Sequence, residues 1–244
     1  MKLFREIKKW FENQENLFYL FLIILIVPNI VLCFTEPMPP VAKACNVLLP
    51  FSVYYIVMSR SRNCGKTFWI LFPFLFFGAF QIVLLYLFGQ SIIAVDMFLN
   101  LVTTNSSEAL ELLDNLIPAI VIVVLLYIPA LAVATVSVIK KRELPELFIH
   151  RERKRARLAM IAGVLSLGAA YLFDSRYELK SDLYPANVCY NIALAFQRTA
   201  QTQSYAKTSK DFTFQAKSVH PQKNREVYVM VIGETSRSAN WSIY

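Results

Sequence analysis

Two groups of side chains have types and spacings suited to chemistry. The first lies at the end of the run Val227-Tyr228-Val229-Met230-Val231-Ile232, which Gly233 closes and Glu234, Thr235, Ser236 and Arg237 follow. A run apolar on both faces reads as the central strand of a covered sheet. Ligands of open α/β sheets gather at the carboxyl ends of strands, so Glu234 is placed to hold a metal ion; a plain polar loop is the alternative. The hydroxyls of Thr235 and Ser236 suit capping of a following helix or turn. The second group is Asn100, Thr104 and Glu108, four residues apart. Successive steps of four advance about 40° beyond a full helical turn, so the three occupy one helix face within about 80° and can converge on one ligand. A solvated helix face, with Asn105, Ser106 and Ser107 alongside, is the alternative. The four cysteines, Cys33, Cys45, Cys64 and Cys189, have neither a CxxC spacing nor histidine neighbours, and read as small apolar residues rather than a metal site.

The elements that would position these residues are set by a membrane. In 244 residues, 56% are hydrophobic and mean hydropathy is +0.45, above the roughly 45–50% apolar share of soluble domains. Crossing about 30 Å of hydrocarbon takes about 20 helical residues. Five segments qualify, at 17–34, 41–58, 68–88, 117–139 and 158–173. The second is the weakest, being short and carrying Lys43, Asn46 and Pro50. The first is preceded by Lys2, Arg5, Lys8 and Lys9, as in a signal peptide. However, the leader also holds Glu6, Glu12 and Glu15, and the exit Leu32-Cys33-Phe34-Thr35 lacks a small-x-small cleavage site, so a retained helix is expected.

The net charge of +8 is not a nucleic-acid signature, because 15 of the 25 Lys and Arg residues fall in three patches beside apolar segments. They lie in the N-terminal tail, around Arg60, Arg62 and Lys66, and in the loop 140–157, whereas 35–40 and 89–116 carry no Lys or Arg outside the apolar segments. This alternation predicts a cytoplasmic N-terminus, five crossings, and a non-cytoplasmic location for everything after Phe173. The run Arg151-Glu152-Arg153-Lys154-Arg155 is then a cytoplasmic anchor against anionic lipid headgroups. Cys33 and Cys45 fall near one membrane face, where a disulfide between them is possible. Residues 174–225 turn polar and read as a linker. Its stretch 186–201 carries a helical stripe of Val188, Ile192, Ala195 and Phe196 that suits a surface-lying helix.

The stretch Val231-Ile232-Gly233-Glu234-Thr235-Ser236-Arg237, followed by Asn240-Trp241-Ser242-Ile243-Tyr244, resembles the start of the catalytic domain of lipid A phosphoethanolamine transferases, the family of the mobile colistin resistance enzymes. That family has five transmembrane helices, a bridging helix and a periplasmic domain of the alkaline phosphatase and sulfatase type. The resemblance implies a five-helix membrane domain over 1–173, a periplasmic linker with a bridging helix over 174–225, and the truncated start of an α/β catalytic domain over 226–244. It implies that Glu234 is a zinc ligand, and that Asn100, Thr104 and Glu108 bind the phosphatidylethanolamine donor. Glu108 would hold the ammonium, while Asn100 and Thr104 donate to phosphate oxygens.

The family's chemistry is a two-step transfer in which a zinc-activated Thr attacks phosphatidylethanolamine, diacylglycerol leaves, and phosphoethanolamine passes to lipid A or a related envelope glycan. In that family the nucleophilic Thr and the other Zn2+ ligands lie in motifs further downstream, so these 244 residues are expected to be an inactive fragment at the bacterial inner membrane. A phosphoglycerol or other phospho-group transferase of the same layout is an alternative. So is a transporter or scaffold without chemistry, although transporters usually carry ionisable groups at mid-membrane and these spans carry almost none. No nucleic-acid partner is expected.

Overall fold

A computed structural model describes residue 6 and residues 9–88, 106–208 and 210. The described residues form helices and no strand: α1 (Gln14–Thr35), α2 (Pro40–Arg60), α3 (Cys64–Ile70), α4 (Phe72–Phe88), α5 (Ser106–Ile139), α6 (Glu146–Phe173), α7 (Leu179–Asp182) and α8 (Ala186–Thr208). Four of these are long and apolar enough to cross a membrane, and a fifth crossing results if the bent pair α3–α4 is one span. The chain is therefore a multi-pass helical membrane protein. The strand expected at 227–232, and with it the α/β domain, lies outside the described residues.

Local sequence sets the helix ends. Asn13 caps α1, its Oδ1 accepting from the Glu15 amide at 2.9 Å, with the Glu15 carboxylate in the positive first turn. Pro39 and Pro40 open α2, where a missing amide costs nothing. Asn63 caps α3 through the Lys66 amide at 2.8 Å. The third span is broken rather than continuous: α3 and α4 meet at a 60° bend. Pro73 explains the break, since it has no amide to give and its ring clashes with the preceding turn.

Burial ranks the helices. In α1, 56% of the apolar window is buried, against 17% in α6, so α1 is central and α6 peripheral. Phe18, Phe21, Leu22 and Leu25 of α1 pack with Tyr54, Tyr55 and Met58 of α2 and Phe68 of α3. Phe21 and Phe68 stack with centroids 4.2 Å apart. On α5 and α6, Leu125, Ile128, Leu158, Ile161 and Leu165 stay exposed, as suits helices whose outer faces meet lipid. Two glycines mark close helix approaches: a Cβ at Gly65 of α3 would lie 2.5 Å from Ala134 O of α5, and one at Gly163 of α6 would lie 2.7 Å from Ser52 Oγ and 3.1 Å from Leu49 Cα of α2.

The basic segment 140–157 is mostly helix rather than the expected loop. Pro145 caps α6 and Glu146 begins it, so only 140–145 connect it to α5. Arg, Lys, Glu and Ala are strong helix formers, and hydropathy is blind to where a charged helix starts. The buried Glu152 fixes this turn: Oε1 accepts from Arg151 Nε and Arg155 Nη1, each at 2.9 Å, and Oε2 accepts from the Tyr55 hydroxyl of α2. Arg155 Nη1 also reaches Tyr19 Oη of α1 at 3.5 Å.

Candidate functional site

The bundle has two chemically distinct ends. At one end the three basic segments meet. The Leu144 amide donates to Arg62 O at 2.8 Å, Arg62 pairs with Glu143 at 3.2 Å, and Arg142 pairs with Glu12 at 3.7 Å. Just inside, Gln14 Oε1 accepts from Ser137 Oγ at 2.6 Å and from the Cys64 thiol at 3.5 Å. These contacts place the N-terminal, 61–63 and 140–144 segments together, as an alternating topology requires.

At the opposite end the segment after α6 is drawn into the bundle. Asn29 Nδ2 donates to Tyr184 O at 2.8 Å and to Asn46 Oδ1 at 3.2 Å, and the Tyr184 amide donates to the same Asn46 Oδ1 at 3.4 Å. Two carboxamides, one from α1 and one from α2, thus grip both backbone groups of Tyr184. The Tyr184 ring is fully buried, and its hydroxyl donates to Phe74 O of α4. Gly78 makes the room: a Cβ there would lie 2.7 Å from Pro28 Cγ, 3.1 Å from Tyr127 Oη and 3.2 Å from Tyr184 Oη. Around this junction, Asn29 Oδ1, Gln81 Oε1, Asn187 Nδ2 and the hydroxyls of Tyr54 and Tyr127 are buried with no hydrogen-bond partner among the described residues.

The outer surface beside it is a cleft of ≈ 430 Å³ lined by Pro37, Met38, Asp174, Arg176, Tyr177 and Asp182, among others. Its carboxylates are already used as turn caps: Asp174 Oδ1 accepts from the Arg176 amide at 3.1 Å and Asp182 Oδ2 from the Glu178 amide at 2.8 Å. Burial, and then a contact with the Cys45 thiol at 3.4 Å, hold the Tyr177 hydroxyl far above the ordinary tyrosine range. All four cysteines are free; Cys33 donates to Lys43 O at 3.4 Å rather than bonding to Cys45.

Of the residues singled out from the sequence, Asn100, Thr104 and Glu234 lie outside the described residues. Glu108 lies in α5. It stands nine positions before Ile117, where the apolar segment read from the sequence begins, a rise of about 14 Å along the helix. Because Ser137 of α5 lies against Gln14 while Tyr127 lies beside Tyr184 and Gly78, this projection leaves the bundle at the Tyr184 end. Among the described residues no three His, Cys, Asp or Glu side chains converge on a metal position.

Sequence reasoning missed the grip of Asn29 and Asn46 on Tyr184 and the burial of Glu152. A signal for each was present: a carboxamide inside an apolar span, and a lone acid within a basic run, both need a partner. No known protein family, curated protein or solved structure matches this chain.

Proposed function

We propose that this chain is the membrane-anchoring part of a transferase that moves phosphoethanolamine from phosphatidylethanolamine to lipid A or a related envelope glycan, at the periplasmic face of a bacterial inner membrane. The observation that carries the reading is the course of α5. Glu108 lies about 14 Å along the helix from Ile117, the start of the apolar segment read from the sequence, towards the end of the bundle opposite the basic segments. That height suits a group that must meet the ammonium of a lipid headgroup above the hydrocarbon boundary.

The chain's own contribution is to seat the donor. The Glu108 carboxylate accepts from the ethanolammonium, and Asn100 and Thr104, eight and four residues earlier in the sequence, donate to phosphate oxygens. Among the described residues no three His, Cys, Asp or Glu side chains converge on a metal position, and in the family that the motif at Glu234 resembles the other zinc ligands and the nucleophilic Thr belong to the catalytic domain. Activation of a nucleophile therefore belongs to a catalytic domain that Glu234 begins. The Asn29–Asn46 grip on Tyr184 ties the segment after α6 to α1 and α2.

Donor binding to the purified chain tests this reading. Phosphatidylethanolamine should bind in detergent by native mass spectrometry, and Glu108→Ala should weaken it by about tenfold, the loss of one charge-assisted contact. Equal affinity of the variant and the parent protein would remove Glu108 from the donor site.

A further inference from the structure

The arginines of α6 divide between two faces. Arg151 and Arg155 are committed to the buried Glu152. Arg153 and Arg157, four residues apart and on one face, line a crevice of ≈ 390 Å³ with His150, Arg60, Ser59 and Ile56. This volume is in the range of small-ligand sites, about 300–1,000 Å³. Arg153 is held in place, its Nε donating to Ser59 O at 2.9 Å and its Nη2 to Arg60 O at 3.1 Å. It thereby covers the negative end of α2, which would otherwise repel an anion. Among the described residues Arg60, Arg153 and Arg157 take part in no salt bridge, in contrast to Arg62, Arg142, Arg151 and Arg155.

Arginine forks around an opening, with no competing carboxylate, suit a phosphate group. The chain continues from Arg157 directly into Leu158, Ile161 and Leu165, an exposed apolar stripe along the lipid-facing side of α6. Cations at headgroup height above an apolar track match a phospholipid and exceed what a free anion needs. We propose that this crevice is a specific site for an anionic glycerophospholipid of the leaflet at the basic end of the bundle. Its phosphate sits among Arg60, Arg153 and Arg157, and its acyl chains run along Leu158, Ile161 and Leu165. The site lies at the opposite end of the bundle from Glu108 and is independent of the donor reading.

Native mass spectrometry of the full chain in detergent, titrated with phosphatidylglycerol, tests the proposal. The R153Q/R157Q double variant should need about tenfold more phosphatidylglycerol for half-occupancy. Arg157→Gln, which leaves the Arg153 cap on α2 intact, should move in the same direction and serves if the double variant does not fold. Lys154→Gln should leave binding unchanged, as should Glu108→Ala. Unchanged phosphatidylglycerol binding in Arg157→Gln, or an equal loss in Lys154→Gln, would overturn the site. Displacement of the lipid by equimolar inorganic phosphate would show a site for free anions and overturn the lipid assignment.

Discussion

A carboxamide inside a membrane helix is costly unless its dipole is met, because lipid supplies no hydrogen bonds. Asn29 offsets part of this cost through Nδ2, which donates to Tyr184 O and Asn46 Oδ1, so Asn29→Leu takes a donor from Tyr184 O and leaves Asn46 Oδ1 with only the Tyr184 amide. The variant should lose about 1–2 kcal/mol of stability, read as a lower thermal midpoint in detergent. An unchanged midpoint would mean that the grip on Tyr184 is incidental. Glu152 is the ionic counterpart. Glu152→Gln removes the charge facing Arg151 and Arg155 and should lower the midpoint more than Glu178→Gln, whose pair with Lys180 is exposed on both sides. Equal effects of the two variants would contradict the structural role of Glu152. At this scale the sequence pointed to Asn46 as a weakness of the second span, whereas the structure makes it an attachment point. A partner 138 residues away leaves no trace in local composition.

Among elements, α2 against α6 is a contact sensitive to volume. Gly163→Leu forces a side chain against the α2 backbone at Leu49 and should cost about 1–3 kcal/mol through overpacking, again as a lower thermal midpoint. Retention of the parent midpoint would show that the helices can part freely. Element existence was readable from length and hydropathy, because 20 apolar residues in a row have few other solutions. The boundaries were less so. The start of α6 at Glu146 lies in polar sequence, where helix propensity continues but apolar periodicity does not. The break at Leu71 was signalled by Pro73, yet a single apolar run from Phe68 concealed it. The stripe expected on the helix at 186–201 is only partly buried: Val188 packs beneath Tyr184 while Phe196 is largely exposed. The candidate site was legible as a spacing, Asn100, Thr104 and Glu108, but spacing carries no information about height above a membrane. That came from the length of α5.

For the whole molecule, the two ends should face opposite compartments. With the native cysteines replaced, Arg142→Cys at the basic end should resist a membrane-impermeant maleimide in spheroplasts, and Glu178→Cys at the Tyr184 end should react. Labelling of both from outside would break the topology on which the function rests. The central claim, that these helices serve phosphoethanolamine transfer, is tested most directly by mass spectrometry of lipid A and envelope glycans from cells expressing the reading frame that contains this chain. The account predicts phosphoethanolamine on one of these acceptors, reduced by Glu108→Ala and abolished, together with bound zinc, by Glu234→Ala. Acceptors without phosphoethanolamine, or transfer unaffected by both substitutions, would contradict it.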